Sequence, residues 1–483
     1  MLQKDGSIVL NNFQQGQAES PYIGYAKMQC VNLIDTQGVV KIQPRTVLKY
    51  ATNGLPTAIV RDIYGNEYVG TDTGYLYKNG AVLQSGLTRV FDLLIFKGYL
   101  LIFRDTVIDC YGLLNSAPTY FSSWKTGLTT GYWHKAIADP DNDIFITNAG
   151  SVAKITSFVA GVPTVAPTAT LTVAEKDLPT GEYARTLAMK GIFLAIGTQA
   201  GSAYTDVEYG IGNLYFWDRG STLFEDNFLQ FNENGVHQIF NIGNSLIVHA
   251  GTHGNIYETN GVSIGKPKKI NFNIENNATT LPLPNAIAQI GDEILVGTST
   301  NSDSFPSLST HGVWTVNKGA SSIRNIISTD GVGASQNLVI GSILTVDSGA
   351  NKTILIGWRD GSSYGVDEID LRLYDDYQTV IESQIYRVGE YLNKKPYSHL
   401  EILIGEPLVS SQTIRVSYRT NLTDSFTVLG TYTTSNTDSG QVAIMDSTIS
   451  IVDAILLQLK VEMKQATTST YLDNISLMEV RLK

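Results

Sequence analysis

One short phrase recurs along the chain between residues 66 and 369, and it limits the possible folds more than any other feature. The phrase is an apolar strand, a turn containing Gly, Asn or Asp, a second strand that carries Tyr, Trp or Phe, and another turn. We find it at 66–80, 97–112, 142–155, 190–220, 243–261, 291–319 and 351–369. Repeated units of this kind bury their faces against their neighbours.

The spacing of the phrases, roughly 30 to 60 residues, has a mean in the range of propeller repeats. We therefore predict a β-propeller of about seven blades, in which each phrase is the inner hairpin of one blade and its aromatic side chain packs on the next blade. Inserted loops account for the uneven spacing. Those at 201–211 and 301–310 fall inside a hairpin and are expected on one face of the disc.

The composition agrees with an all-β fold. The chain has 44 Gly, 25 Tyr and only 16% charged residues, and such residues suit tight turns and half-buried strands. Almost no apolar pattern of helical period occurs. The segment 157–181 is rich in Pro, Thr and Ala, and we predict an extended excursion that joins two units and crosses to a neighbouring blade or subunit.

Both ends of the chain differ from the repeats. From about residue 371 the strands are longer and alternate polar with apolar positions, as at 412–421 and 455–465, which predicts a C-terminal antiparallel β-sandwich. Near the N-terminus, "VVKIQPRT" (39–46) is expected to pair with the last blade and close the ring. The predicted domains are an N-terminal arm with the blade-closing strand (1–50), the propeller (51–370) and the sandwich (371–483).

Charge and targeting patterns exclude several classes of protein. The formal net charge is −11, and the longest basic cluster is "KPKK" at 266–269, so strong binding to nucleic acid is not expected. No apolar stretch has the length of a signal peptide or a membrane span. We expect a protein made in a cytoplasm that does not insert into membranes, with Cys30 and Cys110 as two buried free thiols.

The motifs that could bind a metal are incomplete. Asp139, Asp141 and Asp143 resemble the start of a calcium loop, but that loop needs Gly at its sixth position and Glu at its twelfth, where this chain has Ile144 and Gly150. An acidic turn between blades is the expected structure. His249 and His253 are four residues apart and have no third ligand nearby. We predict no metal and no cofactor.

Catalytic motifs are also missing, and we predict no catalytic residue. Nucleophile elbows, phosphate-binding loops and dinucleotide fingerprints do not occur in the sequence. A glycosidase needs two facing carboxylates, and the sequence alone does not pair its candidates, which are Asp206, Glu208, Asp367, Glu368 and Asp370. A hydrolase therefore remains one alternative.

The N-terminal region resembles that of the tail hub, nozzle and packaged-DNA-stabilising proteins of short-tailed bacteriophages. These proteins begin with a turn containing Gly, a Ser-Pro that starts an extended arm, an Asn in a strand, and a strand that ends in a segment with Pro. The matching residues are Gly16, Ser20, Pro21, Asn32 and Pro44. In the C-terminal region, Lys394, Lys395 and "IRVSYRT" (414–420) occupy comparable places.

The resemblance implies a structural virion protein, located in the phage tail, that forms a homo-oligomeric ring around the DNA exit channel, commonly a hexamer. Its partners would be other tail and connector proteins, and DNA would pass without specific binding, since few cations are available to hold phosphates. Extended segments suit contacts between subunits, and the candidate interface residues are Phe13, Pro21, Tyr22, Pro163 and Pro167.

A receptor- or glycan-binding propeller of a tail spike or fibre is the main alternative function. It would use aromatic side chains on the inserted loops, such as Tyr204, Tyr209 and Phe305, to stack on sugars.

Overall fold

The computed structural model describes a large part of the 483 residues. The described ranges are 8–11, 27–29, 31–32, 40–42, 46–201, 211–221, 227–251, 255–265, 268–269, 282–291, 293–298, 312–316, 321–324, 338–347, 352–370, 379–387, 395–405, 407–408, 412–421, 423–433, 436–437, 443–464 and 475–483. Within these ranges the secondary structure consists of β-strands and turns, with no helix. It follows that these ranges hold no helix of the length and apolarity needed to span a membrane.

Five strands precede the propeller and seven blades follow one another along the chain. The first five strands are β1 Ile8–Leu10, β2 Lys27–Gln29, β3 Val31–Asn32, β4 Val40–Ile42 and β5 Thr46–Ala51. Blade 1 has β6 Pro56–Arg61, β7 Glu67–Thr71, β8 Leu76–Lys78 and β9 Ala81–Gln84; blade 2 has β10 Val90–Phe96, β11 Tyr99–Arg104, β12 Val107–Gly112 and β13 Thr119–Thr126. Blade 3 has β14 Ala136–Ala138, β15 Ile144–Asn148, β16 Ser151–Val159 and β17 Thr168–Asp177; blade 4 has β18 Glu182–Lys190, β19 Phe193–Ala200, β20 Gly212–Trp217 and β21 Phe228–Phe231.

The remaining blades lead into the C-terminal sandwich. Blade 5 has β22 Val236–Ile242, β23 Ser245–Ala250, β24 Asn255–Thr259 and β25 Lys268–Lys269; blade 6 has β26 Ile287–Ile290, β27 Glu293–Thr298, β28 Gly312–Val316 and β29 Ser321–Arg324. Blade 7 has β30 Leu338–Asp347, β31 Lys352–Asp360 and β32 Ser363–Asp370. The sandwich adds β33 Thr379–Glu382, β34 Tyr386–Arg387, β35 Lys395–Ile404, β36 Thr413–Arg419, β37 Thr427–Tyr432, β38 Asn436–Thr437, β39 Ala443–Ala454, β40 Leu456–Lys464 and β41 Ser476–Leu482.

The seven predicted hairpins are the second and third strands of the seven blades. The predicted fold class, an all-β propeller of about seven blades with a C-terminal antiparallel β-sandwich, is confirmed.

A glycine in the second strand makes room for the next blade in four of the seven blades. A Cβ atom at Gly70 would lie 2.4 Å from Cγ1 of Val90, in the first strand of blade 2. The same relation joins Gly197 to Val236, Gly297 to Ile340 and Gly357 to Pro56. Because real Cβ contacts are not this short, any larger residue would push the blades apart. Close packing of blades thus explains the glycine in the second strand of these four blades.

The aromatic side chain of the third strand packs on the preceding blade, so the expected contact with the next blade is wrong. The ring centroids of Trp217 in blade 4 and Phe145 in blade 3 are 5.7 Å apart. The same direction is seen for Tyr77, Tyr111, Phe158, Tyr257 and Trp314. The glycine on one blade and the aromatic ring on its neighbour face the same junction, where a small residue and a large one fit together.

Blade 7 receives its fourth strand from the N-terminal region. The strand β5 pairs with β32, with Val366 opposite Tyr50 and Asp367 opposite Leu48. The sequence placed this strand at 39–46, which shares only Thr46 with β5. The segment Val40–Ile42 instead pairs with β41 of the sandwich, with Val40 opposite Leu477. Both segments alternate in the same way, and local alternation does not specify a partner.

The sandwich is built from both ends of the chain. One sheet has the order β3-β4-β41-β35-β39-β38 with β1 also paired to β41, and the other contains β2, β33, β40, β36 and β37. Their facing sides form one apolar core, to which Ile8 and Leu10 of the N-terminal region contribute. Residues of the predicted arm thus belong to the sandwich core.

A single strand connects the propeller to the sandwich. The strand β2 pairs in parallel with β29 of blade 6, where Gln29 lies opposite Ile323. On its other side it pairs antiparallel with β33 of the sandwich, where Met28 lies opposite Ile381. Blade 6 and the second sandwich sheet therefore form one sheet of ten strands.

The segment 157–181 lies within blade 3 and is not a connection between two units. It contains the end of β16, a turn, and β17, which pairs with β16 as the outer strand of the same blade. It contacts blade 2, because Nε1 of Trp124 donates a hydrogen bond of 2.6 Å to the carbonyl oxygen of Pro167. Prolines in the turn end the pairing, which is why the sequence resembled a linker.

Candidate functional site

The central channel of the propeller, where catalytic groups of a propeller enzyme would converge, is filled by side chains. The connection from blade 5 to blade 6 enters it with Leu283 and Asn285, which are 4% and 8% exposed. Nδ2 of Asn285 donates hydrogen bonds to the carbonyl oxygens of Thr57 at 2.8 Å and Phe91 at 2.9 Å. These contacts connect the innermost strands of blades 1 and 2 to blade 6. We call this centre the hub.

The charged groups at the hub are already paired. Nζ of Lys135 donates to Oδ1 of Asn285 at 2.7 Å and lies 3.2 Å from Oδ2 of Asp92. The same oxygen of Asp92 accepts a hydrogen bond of 2.9 Å from the backbone N–H of Ala136. An ammonium group and a backbone N–H thus both contact this carboxylate oxygen. The arrangement serves structure, since each group has its partner within the chain.

Two buried histidines and an arginine lie beside the hub. Nε2 of Gln238 donates to the carbonyl oxygen of Leu283 at 2.7 Å, and its Oε1 lies 2.8 Å from Nδ1 of His249. Burial lowers the pKa of His249 to about 3, and burial together with the positive charge of Arg185 lowers the pKa of His237 well below its usual value. Both imidazoles are therefore neutral at neutral pH.

The predicted acidic turn is paired with the next blade. The turn connects the first two strands of blade 3 and therefore lies inside one blade. The expectation of a turn between two blades is wrong. Nη1 of Arg219, in blade 4, contacts Oδ2 of Asp139 and lies 2.8 Å from Oδ2 of Asp141. Nζ of Lys154 is 3.0 Å from Oδ2 of Asp143. The three carboxylates thus pair with cations of the chain.

Of the other candidate residues, only some lie in the described part of the chain. His249 is buried, while His253, Asp206 and Glu208 lie outside the described residues. Asp367 accepts a hydrogen bond of 2.7 Å from Nε1 of Trp358, and Glu368 is 3.3 Å from Nζ of Lys49. Among the described residues no group of three His, Cys, Asp or Glu side chains is placed to hold a metal ion.

One of the two cysteines can be placed. Cys110 is a buried free thiol, whose pKa burial raises to about 12. Cys30 lies outside the described residues. A thiol of so high a pKa is a poor nucleophile at neutral pH.

Of the predicted interface residues, only Pro163 is an exposed side chain in the described part of the chain. Phe13, Pro21 and Tyr22 lie outside that part. Pro163 is exposed in the turn between β16 and β17, whereas Pro167 in the same turn is buried by contacts within the chain. The contact of these residues with a second subunit stays a prediction.

Exposed apolar side chains lie near Pro163. Val159, Val162 and Val165 are 61%, 59% and 55% exposed. In an antiparallel blade, the turns after the first and third strands lie on one side of the disc, which we call the lower face. Ile192 in blade 4 and Val262 in blade 5 are on turns of the same face and are 66% and 83% exposed. Three successive blades thus present exposed branched aliphatic side chains on the lower face.

The opposite side, which we call the upper face, has a cleft of about 560 Å³ at the junction of blades 7 and 1. We call it the seam cleft. Its walls come from the closing strand β5, from residues 52–54, from the turn after β7, and from the turn between β31 and β32. The sequence does not indicate this cleft, because its residues come from the two ends of the propeller.

Aromatic and hydroxyl side chains line the seam cleft. The principal ones are Tyr75, Trp358, Tyr364, Thr73, Ser362 and Ser363. None of the lining residues is charged. Tyr75 stacks on Tyr77, with ring centroids 6.2 Å apart and an angle of 25° between the planes. Such a surface offers apolar ring faces beside groups that form hydrogen bonds.

Comparison with known proteins gives likenesses of low identity. No family model and no curated protein matches the chain. The extracellular domain assigned to the hybrid two-component system BT4673 of B. thetaiotaomicron has 14% identity and a TM-score of 0.45, over 76% of this chain and 44% of that chain. The corresponding domain of BT3049 has 11% identity and a TM-score of 0.45, over 99% of this chain and 71% of that one.

An enzyme is also among the similar structures. The exo-beta-1,3-galactanase of Phanerochaete chrysosporium has 10% identity and a TM-score of 0.29, over 84% of this chain and 97% of that chain. At these identities and TM-scores the likenesses carry no argument about what this chain does.

Proposed function

We propose that this protein is a structural component of a bacteriophage tail, a hub or nozzle subunit that forms a homo-oligomeric ring around the DNA exit channel. The phage assignment rests on the N-terminal resemblance, which includes Ser20, Pro21 and Asn32. The structural observation that supports a mechanical role most is the sheet of ten strands that joins blade 6 to the sandwich through β2. A sheet shared by two domains resists their relative rotation, because its hydrogen bonds would have to break first.

The filled hub supports a path for DNA that lies outside the individual propeller. Asn285, Leu283 and their partners occupy the centre of the propeller, so this channel does not admit a double helix. The DNA channel would therefore lie between subunits, with each propeller as a block in its wall. The formal net charge of −11 supports passage without adhesion, since phosphate groups would be repelled.

Contacts between neighbouring copies would use the apolar side chains of the lower face. Val162 and Val165 flank Pro163 at the tip of blade 3, more than half exposed. Burial of such side chains is favourable by about 25 cal/mol per Å² of apolar surface. Proline in the same turn limits the entropy lost when the contact forms.

Imaging of the purified protein tests this proposal. We expect rings by electron microscopy, and a multiple of the subunit mass in solution, for the protein alone or mixed with neighbouring tail proteins. The double variant Val162→Asp, Val165→Asp should fail to form rings while its unfolding temperature stays the same. Val428→Asp, at a 51% exposed position of the sandwich strand β37, is the matched control and should still assemble. A wild-type protein that stays monomeric with its neighbours present contradicts the proposal.

A receptor- or glycan-binding propeller is the second candidate function. The seam cleft favours it, because aromatic and hydroxyl groups converge there with no charged residue.

A further inference from the structure

The seam cleft is placed where the propeller closes on itself. Leu48 of the closing strand, Tyr364 of blade 7 and Tyr75 of blade 1 all line it. Clefts between packed units that combine ring faces with a few polar groups are the usual form of small-ligand sites, at volumes of roughly 300–1,000 Å³. The volume of about 560 Å³ lies within that range.

Several polar groups of the cleft are available to a ligand. Among the described residues, the side-chain amide of Asn53 and the hydroxyls of Ser362, Ser363, Tyr75 and Tyr364 have no hydrogen-bond partner. These groups include donors as well as acceptors. A ligand rich in hydroxyl groups would match them.

The backbone beneath these groups is fixed from both sides. The N–H of Thr52 donates to the carbonyl oxygen of Tyr364 at 3.2 Å, and the N–H of Asn53 donates to the hydroxyl of Tyr77 at 2.7 Å. The hydroxyl of Thr73 donates to the carbonyl oxygen of Asn53. A site held in this way loses little entropy when a ligand binds.

The absence of charged residues from the lining of the cleft selects the class of ligand. Phosphate and carboxylate ligands are recognised by Arg or Lys, and no such residue lines the cleft. Lys49, close in sequence, is already paired with Glu67 at 2.8 Å and Glu368 at 3.3 Å. A purely apolar ligand would leave the hydroxyl and amide groups without partners, which is costly.

We propose that the seam cleft binds a neutral saccharide, with the C–H face of a sugar ring on Tyr75 or Tyr364 and the sugar hydroxyls bonded to Asn53, Ser362 and Ser363. This inference does not depend on the ring proposed above. Because blade 7, the closing strand and blade 1 all contact the same ligand, binding also stabilises the closed propeller.

The experiment is ligand-observed NMR with the full chain and a panel of neutral mono- and disaccharides, together with sialic acid and glucuronic acid. We expect saturation transfer to at least one neutral sugar, none to the acidic sugars, and a higher unfolding temperature with the bound sugar. Tyr364→Ala and Tyr75→Ala should each weaken binding about tenfold or more, because each removes a ring face. Tyr64→Ala, at a 57% exposed ring on the lower face, should bind like the wild type.

A second variant covers the case in which a tyrosine variant does not fold. Ser362 is exposed in the turn after β31, so Ser362→Trp should fill the cleft without disturbing the core, and should abolish binding. The proposal is overturned if no neutral sugar gives transfer at millimolar concentration, if only the acidic sugars bind, or if binding survives in every cleft variant. Electron microscopy of Tyr364→Ala shows whether a variant of the cleft still forms rings. Failure of the sugar site can thus be distinguished from failure of the assembly.

Discussion

The side-chain amide of Asn285 donates a hydrogen bond of 2.8 Å to the carbonyl oxygen of Thr57, 228 residues away in the sequence. It therefore joins blade 6 to blade 1 across the centre of the propeller. Replacement by alanine would leave the carbonyl oxygens of Thr57 and Phe91 without this donor. We expect Asn285→Ala to lower the free energy of unfolding by about 1–3 kcal/mol, measured by thermal or chemical denaturation.

The control for this change is Gln289→Ala, which removes an exposed amide bonded to the carbonyl oxygen of Gly291 at 2.7 Å. Its effect should stay within about 0.5 kcal/mol, as for most surface substitutions. Equal effects of the two variants would show that the hub does not depend on Asn285.

Space at the junction of blades 1 and 2 is tested by Gly70→Ala. The new methyl group would lie 2.4 Å from Cγ1 of Val90, and overpacking of this kind costs about 1–3 kcal/mol. Gly220→Ala, where a Cβ meets nothing within 4 Å, should be nearly neutral. The double variant Gly70→Ala, Val90→Ala should be destabilised by less than the sum of the two single variants, because the added methyl group fills the space that the valine leaves. Strict additivity would exclude this contact as the cause.

The buried histidines predict a loss of stability in mild acid. Their pKa values are lowered in the folded state, so below about pH 6.5 the unfolded chain takes up protons that the folded chain does not. The contribution of these histidines to the free energy of unfolding is therefore fully present above that pH and is lost as the pH decreases. For His249 the loss continues down to about pH 3, the pKa of this residue in the folded state. Each histidine contributes about 1.4 kcal/mol per pH unit.

Measurement of the unfolding free energy between pH 6.5 and 5 checks this effect before most carboxylates titrate. Burial also lowers the pKa of His134, so His249→Gln should remove one of three such contributions and reduce the slope. Gln289→Ala, which removes no titratable group, is the control and should leave the slope unchanged. A slope that is the same in all three proteins would contradict the assignment.

The pairing of blades 3 and 4 through Arg219 is tested by Arg219→Gln. The side chain of Asp139 is 1% exposed, so loss of the guanidinium leaves a buried carboxylate that has lost its counter-charge. We expect a destabilisation of about 1–3 kcal/mol, seen in thermal denaturation. Arg61→Gln, at an exposed arginine of blade 1, should change little. The double variant Arg219→Gln, Asp139→Asn should recover part of the loss, and no recovery would indicate another cause.

The repeated hairpins could be predicted because their signals are local. An apolar strand, a Gly turn and an aromatic strand lie within twenty residues in most units, and each hairpin forms from neighbours in sequence. The glycine that seats the next blade was also visible, in "VGT" at 69–71 and "IGT" at 196–198, although its role depends on a contact with another blade.

Long-range pairing could not be predicted in the same way. The segments 39–46 and 46–51 both alternate, and only the structure shows that one joins the sandwich and the other closes the propeller. The insertion of β2 between β29 and β33 and the entry of Asn285 into the hub have no periodic signal. The seam cleft likewise needs residues near 53 and 363 in one place.

Ile8 in β1 pairs with Leu482 in β41, so strands that are synthesised first pair with strands that are synthesised much later. The ribosome releases β1, β2, β4 and β5 well before the strands with which they pair. Both β1 and β4 pair with β41, the last described strand of the sandwich. Until β32 has been translated the propeller remains open, and β1 and β4 lack this partner until β41 follows, a situation that favours aggregation or chaperone binding. The sandwich can be completed only after β41 has been translated, because β1 and β4 both pair with that strand.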